Sequence, residues 1–227
     1  TPIKSSAASD VYKRQINNIE MANTETNHDM EQSILKVAEE LFLDKGFNRT
    51  STTEIARVVG CNQTLIHYYF RTKENLFNRI FEKKLEQIIP QLFELSQQKV
   101  SFLERIRQVI EIHFSILQQN PKLPRMILNE LGTDPKRTEW LRSLLLEKAK
   151  PYYMQFEEER KQAIQNGEIR PIEPITLLLD ILSMNVFIFL VYPSFCNITG
   201  IELGDFEKVA ETRKKEVITL ITNGLRP

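Results

Sequence analysis

Two cysteines, Cys61 and Cys196, in a chain of 227 residues are too few for a disulfide framework, so the expected setting is a reducing cytoplasm. Charge of one sign is also missing: 30 Lys and Arg balance 30 Asp and Glu, which excludes a uniformly basic nucleic-acid binder. Glycines number seven and sit mostly where helices would end, and no strand-like alternation of useful length occurs. The class expected is therefore all-α. No phosphate-binding glycine loop, dinucleotide fingerprint, zinc-ligand spacing or nucleophile elbow is found, so neither an enzyme nor a cofactor or metal site is expected. Glu157, Glu158 and Glu159 stand beside Arg160 and Lys161 and read as a solvated helix face. The first residues lack the apolar centre of a signal peptide. Asp10 to Gln15, DVYKRQ, reads instead like a translated sequencing adapter, so 1–28 is expected to be an artefactual, disordered leader.

What is present is concentrated between Thr50 and Lys73. Ser51 followed by Glu54 makes a reciprocal capping box, which satisfies free amides at a helix start. Ile55, Ala56 and Val59 then fall on one side, and Gly60 supplies a left-handed exit. Asn62 caps a second short helix, Gln63 to Tyr69, whose Ile66 and the following Phe70 face inward. Gln63, Thr64, His67 and Tyr68 face out. An outward face of amide, hydroxyl, imidazole and phenol suits groove edges and phosphate oxygens better than a core. Arg49, Arg57, Arg71 and Lys73 against Glu54 give this stretch a local positive excess, though ordinary solvated charges would look the same.

The run IARVVGCNQTLIHYYFRTKENLF resembles the signature of the TetR family of bacterial transcriptional regulators, of the form IA..AGVS.GTLY.HF.SKE.L. It departs at Cys61 for valine, Asn62 for serine, Thr64 for glycine, Ile66 for leucine and His67 for tyrosine. The resemblance covers Ile34 to Phe81. It implies phosphate contacts from Thr52, His67, Tyr68 and Lys73, base-edge readout from Gln63 and Thr64, and methyl contact from Leu65. The competing reading of His67 is a ring packed on its own helix. For Cys61 a redox sensor competes with a small residue in valine's place.

Elsewhere the chain shows successive apolar stripes. Ile34, Leu35, Ala38, Leu41 and Phe42 make a first helix closed by Gly46; Leu76, Phe77, Ile80, Phe81, Leu85 and Ile88 make a connector capped by Thr72. Pro90 interrupts that pattern. Ser101 and Glu104 box the helix that carries His113, and Asp134 with Pro135 opens another, which Pro151 is expected to kink or break. Ile175 to Tyr192 is apolar nearly all round and approaches a membrane span, but Asp180, Ser183 and Asn185 argue against lipid. Such a helix needs cover on every side, which a second copy can supply.

The expected domains are a helix-turn-helix domain over 29–74 and a helical regulatory and dimerisation domain over 75–227. The resemblance implies a homodimer through the two C-terminal helices, reading a palindromic double-stranded DNA operator, with no membrane. It also implies an unknown small-molecule effector. His113, Met126, Tyr152, Tyr153, Phe156, Met184 and Phe187 are candidates for its lining; His113 and the aromatic cluster after Pro151 read equally as core. The rival from another class is an all-α interaction module that binds protein rather than DNA.

Overall fold

Short polar side chains set in front of apolar stripes decide where the helices begin. The computed structural model describes residues 28–131, 134–200 and 204–227; positions 1–27 of the expected leader and Gly132 lie outside the described residues, while position 28 is already helical. Among the described residues there is no strand, and nine helices follow in order. The first, α1, covers 28–45 and ends at Gly46, whose φ of 79° is one that glycine reaches without strain. Then come α2 (Thr52–Val59), α3 (Gln63–Phe70), α4 (Lys73–Gln97), α5 (Phe102–Gln119), α6 (Leu123–Leu131), α7 (Pro135–Gln165), α8 (Pro174–Thr199) and α9 (Phe206–Leu225). Ser51, Asn62, Ser101, Asp134 and Asp205 each accept a backbone N–H from the first turn they precede. Thr72 does the same for α4, taking the Asn75 N–H at 3.0 Å.

The chain divides into two compact units at Glu82/Lys83, inside α4. The first holds α1 to α3 and the opening turns of α4 around Ile34, Ala38, Ile55, Ile66 and Leu76. Its centre is aromatic: the rings of Phe42, Phe47 and Phe77 lie 5.2 to 5.5 Å apart, with Phe81 4.9 Å from Phe77. Such tilted and edge contacts each add roughly 0.5 to 1.5 kcal/mol to the burial itself.

In the second unit, α5 packs against α7, α8 and α9, while α6 lies against α7 and α8. One cluster contains Phe102, Ile106, Ile110, Ile181, Val217 and Ile221; a smaller one contains Phe114, Leu117, Phe189 and Ala210. On α8 the buried positions, Leu177, Ile181, Asn185 and Phe189, recur every four residues and define one inward stripe. The cover expected all round α8 is absent within one chain: Ile175, Leu178, Leu179, Leu182, Phe187, Phe195 and Ile198 are exposed.

Both interior prolines fail to end their helices. α4 runs through Pro90 and α7 through Pro151. Each proline removes one backbone hydrogen bond, a local loss that the surrounding turns of two long helices absorb. The end of α4 is then tied to its neighbours. Arg105 on α5, 4% exposed, donates to the Leu95 and Gln98 carbonyls and to Glu159 of α7, at 2.9 Å for the last. Gln155 of α7 donates to the Ser96 carbonyl at 2.7 Å. These donors satisfy carbonyls that a helix terminus leaves open. Arg105→Met is expected to lower the unfolding free energy by about 3 kcal/mol, and Glu159→Gln by about 1 kcal/mol, in urea melts read by circular dichroism.

Candidate nucleic-acid interface

Only two α3 side chains, Ile66 and Phe70, are buried. Because α3 is two turns long, this single inward edge leaves Thr64, His67 and Tyr68 exposed, and Leu65 half-buried between the two faces. Tyr68 is 62% exposed, and its ring meets that of Tyr69 edge-on at 5.2 Å. Gly60, at φ 79°, turns the chain out of α2, and the Asn62 carbonyl side chain takes the Thr64 N–H at 2.9 Å. Two helices meeting at this turn, one short and polar on its outer side, make a helix-turn-helix.

Beside α3 lies an open depression of about 500 Å³ whose lining includes Asn48, Arg49, Thr52, His67, Arg71 and Lys73. Arg49 and Arg71 were counted among the basic residues of the sequence but not among its expected contacts. Arg71 carries a second signal. Its φ of 64° and ψ of −50°, with the Thr72 N–H reaching the Phe70 carbonyl at 2.7 Å, are the strained form of the γ-turn. Strain of this kind collects where a side chain has to be presented.

Several expected contacts turn out to be engaged within the protein. The Lys73 ammonium, expected on a phosphate, donates to the carbonyls of Phe47 and Thr50 at 3.0 and 2.9 Å and lies 4.1 Å from the Phe47 ring centre. Its geometry is that of a cation binding the α1–α2 turn. His67, also expected on a phosphate, places Nδ1 3.0 Å from the Arg71 carbonyl, so the hydrogen sits on Nδ1. Nε2 makes no hydrogen bond among the described residues and stays open to a partner outside the protein. The Gln63 amide donates to Thr52 Oγ1 at 2.9 Å and accepts from Thr53 Oγ1 at 3.1 Å. Cys61 is half-buried, and burial pushes its thiol up, away from the reactive thiolate a redox sensor needs.

The seven residues named for an effector differ in burial. Met126 is buried. Phe156 and Met184 pack against the larger cluster, Phe156 with its ring 5.2 Å from Phe102. Tyr152 is half-buried, while Tyr153 and Phe187 are 50% and 62% exposed. His113 pairs with Asn185, whose amide nitrogen is 3.0 Å from Nδ1, and burial pushes its pKa down to about 4. Its ring is therefore neutral and Nδ1 is an acceptor, with the hydrogen on Nε2.

The fold and this exposed helix define a helix-turn-helix, DNA-binding regulatory protein. Residues 34–80 match the family described as bacterial regulatory proteins, tetR family. The chain is 28% identical over 137 residues to the fatty acid metabolism regulator protein of Bacillus subtilis (strain 168), covering 60% of this chain and 69% of that one. It is 25% identical over 174 residues to the nucleoid occlusion factor SlmA of Vibrio campbellii, covering 74% and 88%. Among solved structures, the transcriptional regulator FadR from Bacillus subtilis in complex with stearoyl-CoA aligns with a TM-score of 0.62 at 22% identity, over 86% of this chain and 99% of that one. AibR in complex with isovaleryl coenzyme A and operator DNA aligns with a TM-score of 0.63 at 24% identity, over 82% and 96%. Over residues 34–80 the chain thus carries a match to the tetR-family regulatory domain, and the rest resembles such regulators in fold.

Two outcomes are expected. Arg71→Gly should raise stability by about 1 kcal/mol in urea melts, since glycine takes a positive φ freely, while DNA affinity falls. For His113, the unfolded ring takes up a proton near 6.5 and the native ring only near 4. The unfolded chain thus binds more protons in that window, and stability falls as pH drops through it. His113→Phe should flatten that part of the pH–stability curve measured by chemical denaturation.

Proposed function

We propose that the protein is a ligand-responsive repressor that works in the cytoplasm as a homodimer and reads a palindromic DNA operator through α3. The observation that carries this is the exposed face of Thr64, His67 and Tyr68 beside a depression holding Arg49 and Arg71. Thr64, His67 and Leu65 meet base edges and the thymine methyl group, Tyr68 and Thr52 meet the backbone, and the two arginines add charge for phosphates. Lys73 acts beneath that surface by holding the α1–α2 turn.

Pairing of two copies through α8 and α9 is supported by what α8 leaves open. Phe187 and Ile198 are 62% and 84% exposed, and Leu220 on α9 is exposed as well. By length and composition Pro174–Tyr192 could cross a bilayer. Its charged Asp180 and its inward stripe packed on α5 and α9 favour a protein partner over lipid. A symmetric dimer then presents two α3 helices to successive major grooves about 34 Å apart.

For the effector, the resemblance to regulators that hold stearoyl-CoA and isovaleryl coenzyme A favours acyl-CoA thioesters, whose apolar tail suits the body between α5 and α8. Helix α4 belongs to both units, and its last carbonyls are held by α5 and α7. A thioester that binds one arrangement of those helices better than the other shifts α4 and the spacing of the two α3 helices.

Selection from a random DNA library should enrich an inverted repeat, and stearoyl-CoA should release the enriched DNA in fluorescence anisotropy where free coenzyme A does not. Enrichment of no sequence would overturn the DNA-binding reading. Sedimentation should show a dimer at micromolar concentration, and Leu179→Asp with Phe187→Asp a monomer that binds the repeat at least tenfold more weakly.

A further inference from the structure

We infer that Gln63 is a positioning residue that aims the Thr52 hydroxyl at the DNA backbone, and that base reading on α3 falls to its neighbours Thr64 and His67. This rests on the reading of α3 as the DNA-contacting helix. The residue opens α3 and is the natural candidate for bidentate adenine recognition, in which the amide oxygen and nitrogen both face one base edge. Here both ends are already in use. Gln63 Nε2 donates to Thr52 Oγ1 at 2.9 Å, and Gln63 Oε1 accepts from Thr53 Oγ1 at 3.1 Å. Reaching a base with both amide atoms would require breaking two hydrogen bonds that link α3 to α2.

The direction of these bonds matters more than their number. A threonine hydroxyl has one hydrogen to give and two lone pairs. Thr53 gives its hydrogen to Gln63, and Gln63 gives one of its own to Thr52. Thr52 Oγ1, as the acceptor, keeps its hydrogen for a partner outside the network. A phosphate oxygen only accepts, so it requires a donor turned outward, and Thr52 borders the depression shared with Arg49 and Arg71. Donors in series polarise one another, which strengthens the last one. Among the described residues Thr64 and His67 have no such tie to α2: the Thr64 side chain is exposed, and His67 is held through Nδ1 alone, leaving Nε2 open.

The test uses the full-length protein and the DNA enriched from a random library. Gln63→Met keeps the length of the side chain and removes both polar ends; Thr52→Val removes the outward hydroxyl. Each is expected to weaken binding by about fivefold on every enriched sequence, with the preferred base unchanged at each position. The double variant should bind no more weakly than either single one, because both remove the same contact. Thermal melts of all three check that the fold survives, and Gln63→Leu, which likewise offers no polar end and adds no charge, should match the methionine variant where the fold is marginal. A changed base preference in Gln63→Met overturns the inference, as do losses that multiply in the double variant. Enrichment of no sequence by the wild type overturns the DNA-binding reading along with it, whereas a changed preference leaves that reading standing.

Discussion

The Lys73 ammonium fixes the turn on which the exposed face of α3 is built. Between α1 and α2 the chain reverses through Phe47 and Thr50, whose carbonyls both point at Nζ of Lys73. The same cation lies over the Phe47 ring, which in turn touches Phe42 and Phe77. One charged group thus fastens the turn before α2 to the first residue of α4, while the aromatic core sits directly beneath it. Thr50, almost fully buried, completes the turn by bonding to the Gly46 carbonyl. With only Ile66 and Phe70 of its own in the core, α3 relies on this frame for its attitude; its outer side chains are then free to be chosen for chemistry rather than packing.

The second unit solves a different problem. Long helices with broad apolar stripes could slide along one another with little change in buried area, and directional polar contacts oppose that. Arg105 joins α5 to the end of α4 and to Glu159, and Arg160 links the Glu157 carboxylate to the Ile172 carbonyl in the segment before α8. Between the two apolar clusters the Asn185 amide meets His113 and the Ile110 carbonyl, which sets α8 against α5 at a single register. Arg105, Arg160 and Asn185 are buried, and the two guanidinium groups and the Asn185 amide nitrogen are hydrogen-bonded where they sit, while Asn185 Oδ1 is buried with no hydrogen-bond partner among the described residues.

Local signals in the sequence carried most of the helix boundaries. Ser51, Asn62, Ser101 and Asp134 cap helices because short side-chain acceptors act on amides two or three residues away, within reach of sequence alone. Pro90 and Pro151 misled for the same reason: a proline's local penalty is visible in the sequence, while the helix on either side that outweighs it is not. Which side chains α3 exposes was legible in the sequence, and which of them are bonded within the protein was not. That Lys73 turns inward, and that Gln63 is tied to two threonines ten and eleven residues earlier, depends on distances between helices that no spacing rule encodes.

These engaged side chains bear on how the surface works. An interface of loose polar residues must lose side-chain freedom when it meets DNA, at roughly 0.5 to 1.5 kcal/mol for each one immobilised. Here much of that ordering is complete in the free protein: Gln63 and Thr52 are bonded to each other, His67 is bonded to the Arg71 carbonyl, and the backbone at Arg71 is held in a strained turn. Strain at Arg71 persists because α3 on one side and the Thr72 cap of α4 on the other leave the intervening residue no alternative path. The frame built on Lys73 and the aromatic core therefore does more than keep the unit folded. It stores, in a short polar helix and one strained turn, the orientation that a DNA groove would otherwise have to impose.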